Sequence, residues 1–354
     1  MSRSYAAMTT LVVTKLQSSG TADYSVAEVD YQIEECLKEF SHYKSHLVPV
    51  VLQIESRYGT ASATAASALT DTNKGQFLTT DAANEKVVRN TTDNTWAVIS
   101  SVASTAQVGL TRDIFVVNEN YRIYNKQCWN ERQVNLSGMP ENYEVDSVEY
   151  PEGERRNFTI VDNILEVAVD SVEDSNAGST ITTLPNVDVI VRFNKPHVLS
   201  QLTDWAGNVA ATVAAGATTL AASSLQTAGT IKVGEEFTIQ YHRSTYVVAA
   251  SATIAANTAA ITFYPPLEAP VAATTHTVNF RMTSLSPKDE DIFADLAAAR
   301  LAVNKSPKFI NSVVIGAPNA WSNIMTWGER KLGNVIRKLE SETKPKVKHL
   351  YTTE

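Results

Sequence analysis

Gly59 to Leu69 reads GTASATAASAL, and Gly207 to Leu220 reads GNVAATVAAGATTL. Each Ala/Thr/Ser/Gly run opens a segment of short β-branched strand candidates, and each lies between parts with helical periodicity. The pattern predicts an α+β fold: a helical bundle plus a β-meander core carrying two small β-sandwich or barrel-like insertions. Residues 1–58 are read as the N-terminal helical part of the core, 59–124 as the first β module and 125–205 as the β-meander part of the core. Residues 206–280 follow as the second β module, Ig-like or a barrel. Residues 281–342 supply C-terminal helices, and 343–354 form a basic arm. The likeness of the two modules is one of texture and not a strict repeat.

The flanking helices carry local signals. Ser25 and Glu28 form an S-x-x-E capping box. Val26, Val29, Ile33, Leu37, Phe40, Tyr43 and Leu47 then recur at three- and four-residue steps, which predicts a helix over 25–48. Ser286-Pro287 places an N-cap before a proline at the first helical position, and Asp289 to Asp291 suit the positive end of the helix dipole. A second closing helix is expected after Ala317-Pro318, with Trp321, Ile324, Met325, Leu332, Val335, Ile336 and Leu339 as its stripe. Met8 to Leu16 is a short apolar segment.

Strands are expected at Lys86-Val-Val, Trp96-Ala-Val-Ile, Ile114-Phe-Val-Val, Leu184 to Phe193, Phe237-Thr-Ile-Gln-Tyr, Tyr246-Val-Val and Ala260 to Tyr264. Phe309 to Ile315 reads as a short strand or extended link. Asp162-Asn163 between Phe158-Thr-Ile-Val and Ile164-Leu-Glu-Val is a tight hairpin signal. Tyr150-Pro-Glu-Gly reads as a turn.

The chain has 354 residues, 44% hydrophobic and 19% charged, with a formal net charge of −8. It is long enough for two or three domains with a real core, and it is not of disordered composition. Acidity argues against gripping nucleic acid over the whole surface, while permitting a passage through which DNA slides. Charge is uneven: residues 141–174 hold eleven acids against Arg155 and Arg156, and 329–348 hold seven Lys/Arg against three acids. Two isolated cysteines, Cys36 and Cys128, make no disulfide framework and fit a reducing compartment. No apolar run reaches the length of a membrane span, so no membrane role is expected.

Candidate chemistry is sparse. His42 and His46 stand four apart, a spacing that can seat two imidazoles on one metal, but no third ligand stands out and the solvated side of the helix is the stronger reading. Gly328-Glu-Arg-Lys-Leu-Gly333 has phosphate-loop spacing without the Lys-Ser/Thr that would complete it. Asp289 to Asp291 is explained by helix-start electrostatics without an ion. Trp96, Tyr121, Tyr246 and Tyr264 could serve a surface or glycan-binding module, against a simpler role in core packing. No nucleophile, base, metal set or cofactor motif assembles, so an enzyme is the least favoured class and no cofactor is expected. In the terminal segment Lys344, Lys346 and Lys348 alternate with other residues as on one face of a strand, with Val347, Leu350 and Tyr351 interleaved. Such an arm could order on a partner, for instance by adding to a sheet edge.

KVVRNTTDNTWAVISSVASTAQVGLTRDIFVVNENYRIYN at 86–125 resembles a module of tailed-bacteriophage neck and tail proteins. ATVAAGATTL, GTIKVGEEFTI and ANTAAITFYPPL resemble β modules embedded in phage virion proteins. SVAEVDYQIEECLKEF, then YEVDSVEYPEGERRNFTI, then closing helices and a tail resemble in their order the head-to-tail adaptor (connector) proteins of tailed phages. The resemblance implies a structural virion protein in the neck, assembled in the bacterial host cytoplasm. It implies a homo-oligomeric ring of twelve copies docked on the portal protein, met by further neck or tail proteins, with DNA passing through without specific binding. It places a portal-binding arm on Lys344, Lys346, Val347, Lys348, Leu350 and Tyr351. Another phage structural component (capsid, decoration or tail-tube protein) is the alternative.

Overall fold

The computed structural model describes residues 3–16, 24–55, 57–140, 143–169, 188–202, 206–306 and 320–342. Two compact units are present. The helical unit comprises Met1–His46, Lys195–Gln201 and Met282–Glu354; the β unit comprises Leu47–Asn194 and Leu202–Arg281.

The helical unit contains α1 (Tyr5–Lys15), α2 (Val26–Tyr43), α3 (Pro287–Lys305) and α4 (Ala320–Glu342). α2 starts at the expected box: Ser25 Oγ accepts from Glu28 N at 3.3 Å, and the Glu28 carboxylate accepts from Ser25 N at 3.0 Å. Its Val29, Ile33, Cys36 and Phe40 are buried at steps of four, three and four. α3 starts at Ser286 with Pro287 in the first turn and is buried on most sides, by Ile292, Phe293, Leu296 and Leu301 and by a run of alanines. A helix apolar nearly all round belongs at a centre, and α1, α2 and α4 all pack on it. α4 approaches closely because Gly328 has no side chain: a Cβ there would lie 2.8 Å from Val303 and 3.1 Å from the Ala299 carbonyl. Val335 and Leu339 of α4 complete the core with Met8 and Val12 of α1.

The expected helix over 25–48 ends earlier, at Tyr43. Lys44 takes extended angles, and His46–Gln53 is a strand, β1. The β-branched run Val48-Pro-Val-Val favours that geometry, and Pro49 cannot continue a helix. Thus 47–58, placed with the helices from sequence, lies in the β unit.

The first β module contains β2 (Tyr58–Thr60), β3 (Ala68–Thr70), β4 (Val87–Asn90), β5 (Thr95–Ser104), β6 (Gln107–Leu110) and β7 (Asn120–Tyr124) in one antiparallel sheet of order β2-β7-β4-β5-β6-β3. Ile114 to Val117, expected as a strand, is a loop with Val116 and Val117 exposed. Polar clamps hold it: Asn90 donates to the Ile114 carbonyl at 2.7 Å, and Glu119 accepts from Val116 N at 2.7 Å.

The meander contains β8 (Gln133–Asn135), β9 (Glu144–Glu149), β10 (Arg155–Arg156), β11 (Phe158–Val161), β12 (Ile164–Val167) and β13 (Asp188–Lys195). These build a sheet of order β1-β13-β9-β10 and another of order β11-β12-β8. Asp162 and Asn163 both take positive φ, 49° and 64°, as a two-residue hairpin turn requires.

The second module contains β14 (Ala206–Val209), β15 (Thr219–Ser223), β16 (Ala228–Ile231), β17 (Glu236–Ile239), β18 (Tyr246–Ala250), β19 (Ala252–Ala255), β20 (Ala259–Tyr264) and β21 (Thr277–Phe280). Six strands close a barrel in the order β14-β15-β20-β18-β17-β21, with β16-β19 as a side ribbon. The chain is therefore α+β with barrel-like β insertions, and the second module is the barrel of the two forms its sequence allowed. The modules are braced within the β unit: Thr80 and Asn84 donate to the carbonyls of Ala215 and Gly216 at 2.9 and 2.8 Å, and Tyr264 OH donates to the Asn135 carbonyl at 2.6 Å.

Candidate functional site: a cationic aromatic row

The register of four strands sets Tyr58 opposite Arg122, Arg122 opposite Arg89, and Arg89 opposite Trp96. One row of side chains thus crosses β2, β7, β4 and β5 on a single sheet face, over about 14 Å at the usual interstrand spacing. The opposite face holds the core of the module, where Tyr121, Ile123, Val88 and Ala97 alternate with the row residues.

Aromatic rings carry the cations. Arg89 lies over Trp96 at 5.2 Å and Arg122 over Tyr58 at 5.5 Å, measured to the ring centroids. Lys74 Nζ sits 3.7 Å from the Tyr58 ring and donates to the Tyr58 carbonyl at 2.7 Å. Trp129, 60% exposed, meets Trp96 edge-on at 5.5 Å. Few carboxylates reach the two arginines. Glu131 stands 3.9 Å from Arg122, and among the described residues no carboxylate lies within ion-pair distance of Arg89. Arg89 Nη2 donates to Asn94, while its buried Nε has no acceptor. Like charges directly opposite each other in a sheet are destabilising. Ring contacts worth about 0.5–1 kcal/mol each offset part of that. A groove of about 420 Å³ lies at the Tyr58 end, lined by Lys74, Arg122, Tyr58, Asp71, Asn73, Thr91 and Asn120.

Behind this sheet lies a second ionic group, fully buried. Arg57 is 0% exposed and binds two carboxylates, Glu55 at 2.9 and 2.7 Å and Asp81 at 2.9 and 2.8 Å, and also donates to the Gln76 carbonyl at 2.9 Å. Lys86 completes it, 3.0 Å from Glu55 and 2.6 Å from Asn125. Burial alone would raise the Glu55 carboxyl, but Arg57 and Lys86 outweigh it and hold the group well below the usual carboxylate range. The quartet is neutral overall, which is how charges persist in an interior. Lys86 also borders a cavity of about 370 Å³ walled by Val51, Ile54, Val134, Tyr264 and Pro265.

The sequence candidates fall as follows. The arm residues Lys344, Lys346, Val347, Lys348, Leu350 and Tyr351 lie outside the described residues, as does Phe309 to Ile315. The last described residue, Glu342, is held by Lys44, and by Lys288 at 3.0 Å; those two lysine contacts lower its carboxyl to about 2. Lys44 also meets Asp289 at 2.7 Å, so it joins the end of α2 to the start of α3 and the end of α4. Asp289 accepts from Ser286 as well, as helix-start chemistry requires. His42 and His46 do not share a helix face. His42 is exposed on α2, whereas His46 begins β1 and stacks on His197 at 5.7 Å. Among the described residues no group of three metal-ligating side chains assembles. Gly328 and Gly333 lie inside α4. Tyr121, Tyr246 and Tyr264 are buried in cores, which leaves Trp96 as the one of the four aromatics on an accessible face. The arginines of the row and the quartet went unread in the sequence. Among the described residues no helix is long and apolar enough to cross a membrane. No family model, curated protein or solved structure matches the chain.

Proposed function

We propose that this chain is a structural protein of a tailed-phage neck, a head-to-tail adaptor whose copies close into a ring on the portal and extend the DNA channel toward the tail. The observation that carries the reading is the anchoring of α4. α1 and α4 belong to one helical unit, and Glu342 is clamped by Lys44 and Lys288, so the end of α4 is a fixed point. A helical body with a fixed point of departure suits an adaptor that reaches a neighbour through its terminus. The α+β fold with barrel-like insertions is compatible with that reading. The brace between the modules gives them the rigidity that a ring wall or its outer decoration needs.

The test is co-expression with the portal of the same particle, followed by native mass measurement. The expected result is a stoichiometric ring of twelve copies on the portal, and truncation after Glu342 lowers portal retention at least tenfold. A chain that stays monomeric beside the portal overturns the adaptor. Sheets, shells or long tubes in negative stain favour the capsid, decoration or tail-tube reading instead.

A further inference from the structure

We infer that the Tyr58–Arg122–Arg89–Trp96 row binds single-stranded nucleic acid, with Arg89, Arg122 and Lys74 holding strand phosphates and Trp129 stacking a base. The inference does not rest on the neck reading, which asks only that DNA pass without sticking.

Four observations carry it. Two arginines are set directly opposite each other across β4 and β7, a pairing of like charges that destabilises a sheet. Their carboxylate supply is one glutamate at 3.9 Å, although the chain as a whole carries an excess of acids. Each guanidinium lies against a ring, which restricts its orientation while leaving N–H donors that phosphate oxygens can accept from. At its β5 end the row meets Trp129, an indole that is 60% exposed and packs on Trp96, and at its opposite, Tyr58 end lies the groove lined by Asp71, Asn73, Asn120 and Thr91.

The combination selects among anions. An acidic peptide would satisfy the arginines and leave Trp129 idle. Duplex DNA offers phosphates but keeps its bases stacked inside. A single strand offers both at once: phosphates for the arginines, and an unpaired base for the indole face. Because stacking is tolerant of base identity, the site should show weak sequence preference.

The experiment is fluorescence anisotropy of the full chain with a labelled oligothymidylate of about 20 nucleotides, in parallel with tryptophan quenching. Saturable binding that weakens with salt is expected. Arg89→Gln with Arg122→Gln should weaken it at least tenfold and flatten the salt slope by about one unit per arginine. Arg122→Lys, which keeps the charge and loses the fork, should fall between. Trp129→Ala should weaken binding at least fivefold while leaving the salt slope unchanged. Circular dichroism and urea midpoints of each variant establish that the fold is retained. Absence of binding at low salt overturns the inference. So does equal binding of duplex DNA or polyglutamate, or a Trp129→Ala variant that binds like the parent.

Discussion

Arg57→Met is the most demanding perturbation of the β unit. Arg57 makes five side-chain hydrogen bonds, four to the carboxylates of Glu55 and Asp81 and one to the Gln76 carbonyl, with no exposed surface. Methionine fills much of the volume but satisfies none of these acceptors. Glu55 then keeps Lys86, while Asp81 keeps the Leu78 amide at 2.8 Å. Removing one partner of a buried ionic group costs about 3–5 kcal/mol, against a typical domain stability of about 5–15 kcal/mol. Hydrogen exchange at β4 reads this locally, and protection of the Val88 amide should fall by roughly two to almost four orders of magnitude at pH 7. The acid limb gives an independent sign. Glu55 has a depressed folded pKa, so its contribution is present above the unfolded value of 4.5 and is lost as pH falls through the folded one. In the variant Glu55 loses the Arg57 charge that lowers its carboxyl and takes up a proton more readily, so the gap between parent and variant should narrow on acidification. Adding Asp81→Asn to Arg57→Met should recover part of the loss, because the remaining Glu55–Lys86 pair is then neutral. A loss below about 1 kcal/mol at pH 7, or a gap that widens as pH falls, refutes the claim that these charges hold the module together.

Leu339→Ala, at a fully buried position of α4, should cost about 2–5 kcal/mol in urea unfolding of the helical unit, more than any exposed change on the same helix. Gly138→Ala places a Cβ 2.2 Å from the Tyr264 ring, and should destabilise the β unit by about 1–3 kcal/mol with a shift in the tyrosine near-ultraviolet signal. His197 and His242 have folded pKa values lowered to about 4, by burial first and then by His46 and His276 respectively. Each therefore contributes stability that is complete above about 6.5 and is lost as pH falls toward 4, at up to about 1.4 kcal/mol per pH unit. Urea midpoints at pH 7, 5.5 and 4 should decline accordingly, and His242→Gln should flatten the decline for the β unit.

What the sequence makes legible is chemistry between near neighbours. The Ser25–Glu28 box, the Ser286-Pro287 start and the Asp162-Asn163 turn each need only three or four residues to define them, and all three stand as read. Two local readings miss for local reasons. α1 is hidden by the β-branched run Thr9-Thr-Leu-Val-Val-Thr, whose Thr9, Thr10 and Thr14 hydroxyls bond back to carbonyls four residues earlier and so tolerate a helix. Ile114 to Val117 has strand composition, yet Asn90 and Glu119, from elsewhere in the module, hold its polar backbone in a loop.

The arginine features are illegible for a different reason. Glu55, Arg57, Asp81 and Lys86 span 31 positions, and the row joins residues from 58 to 122. No spacing rule connects them until strand register does, and register is a property of the whole sheet. Register also separates their roles. The quartet obeys every rule for buried charge: it is neutral, paired and hydrogen-bonded, so it needs nothing beyond the fold to explain it. The row breaks a rule of sheet pairing within the same module, a few residues away and on the face that solvent reaches. A fold able to neutralise Arg57 so completely had acids available to neutralise Arg89 and did not place one there. Violations of local consistency are expected at functional or strained sites, which is why the row, and not the quartet, is the place to test for a ligand.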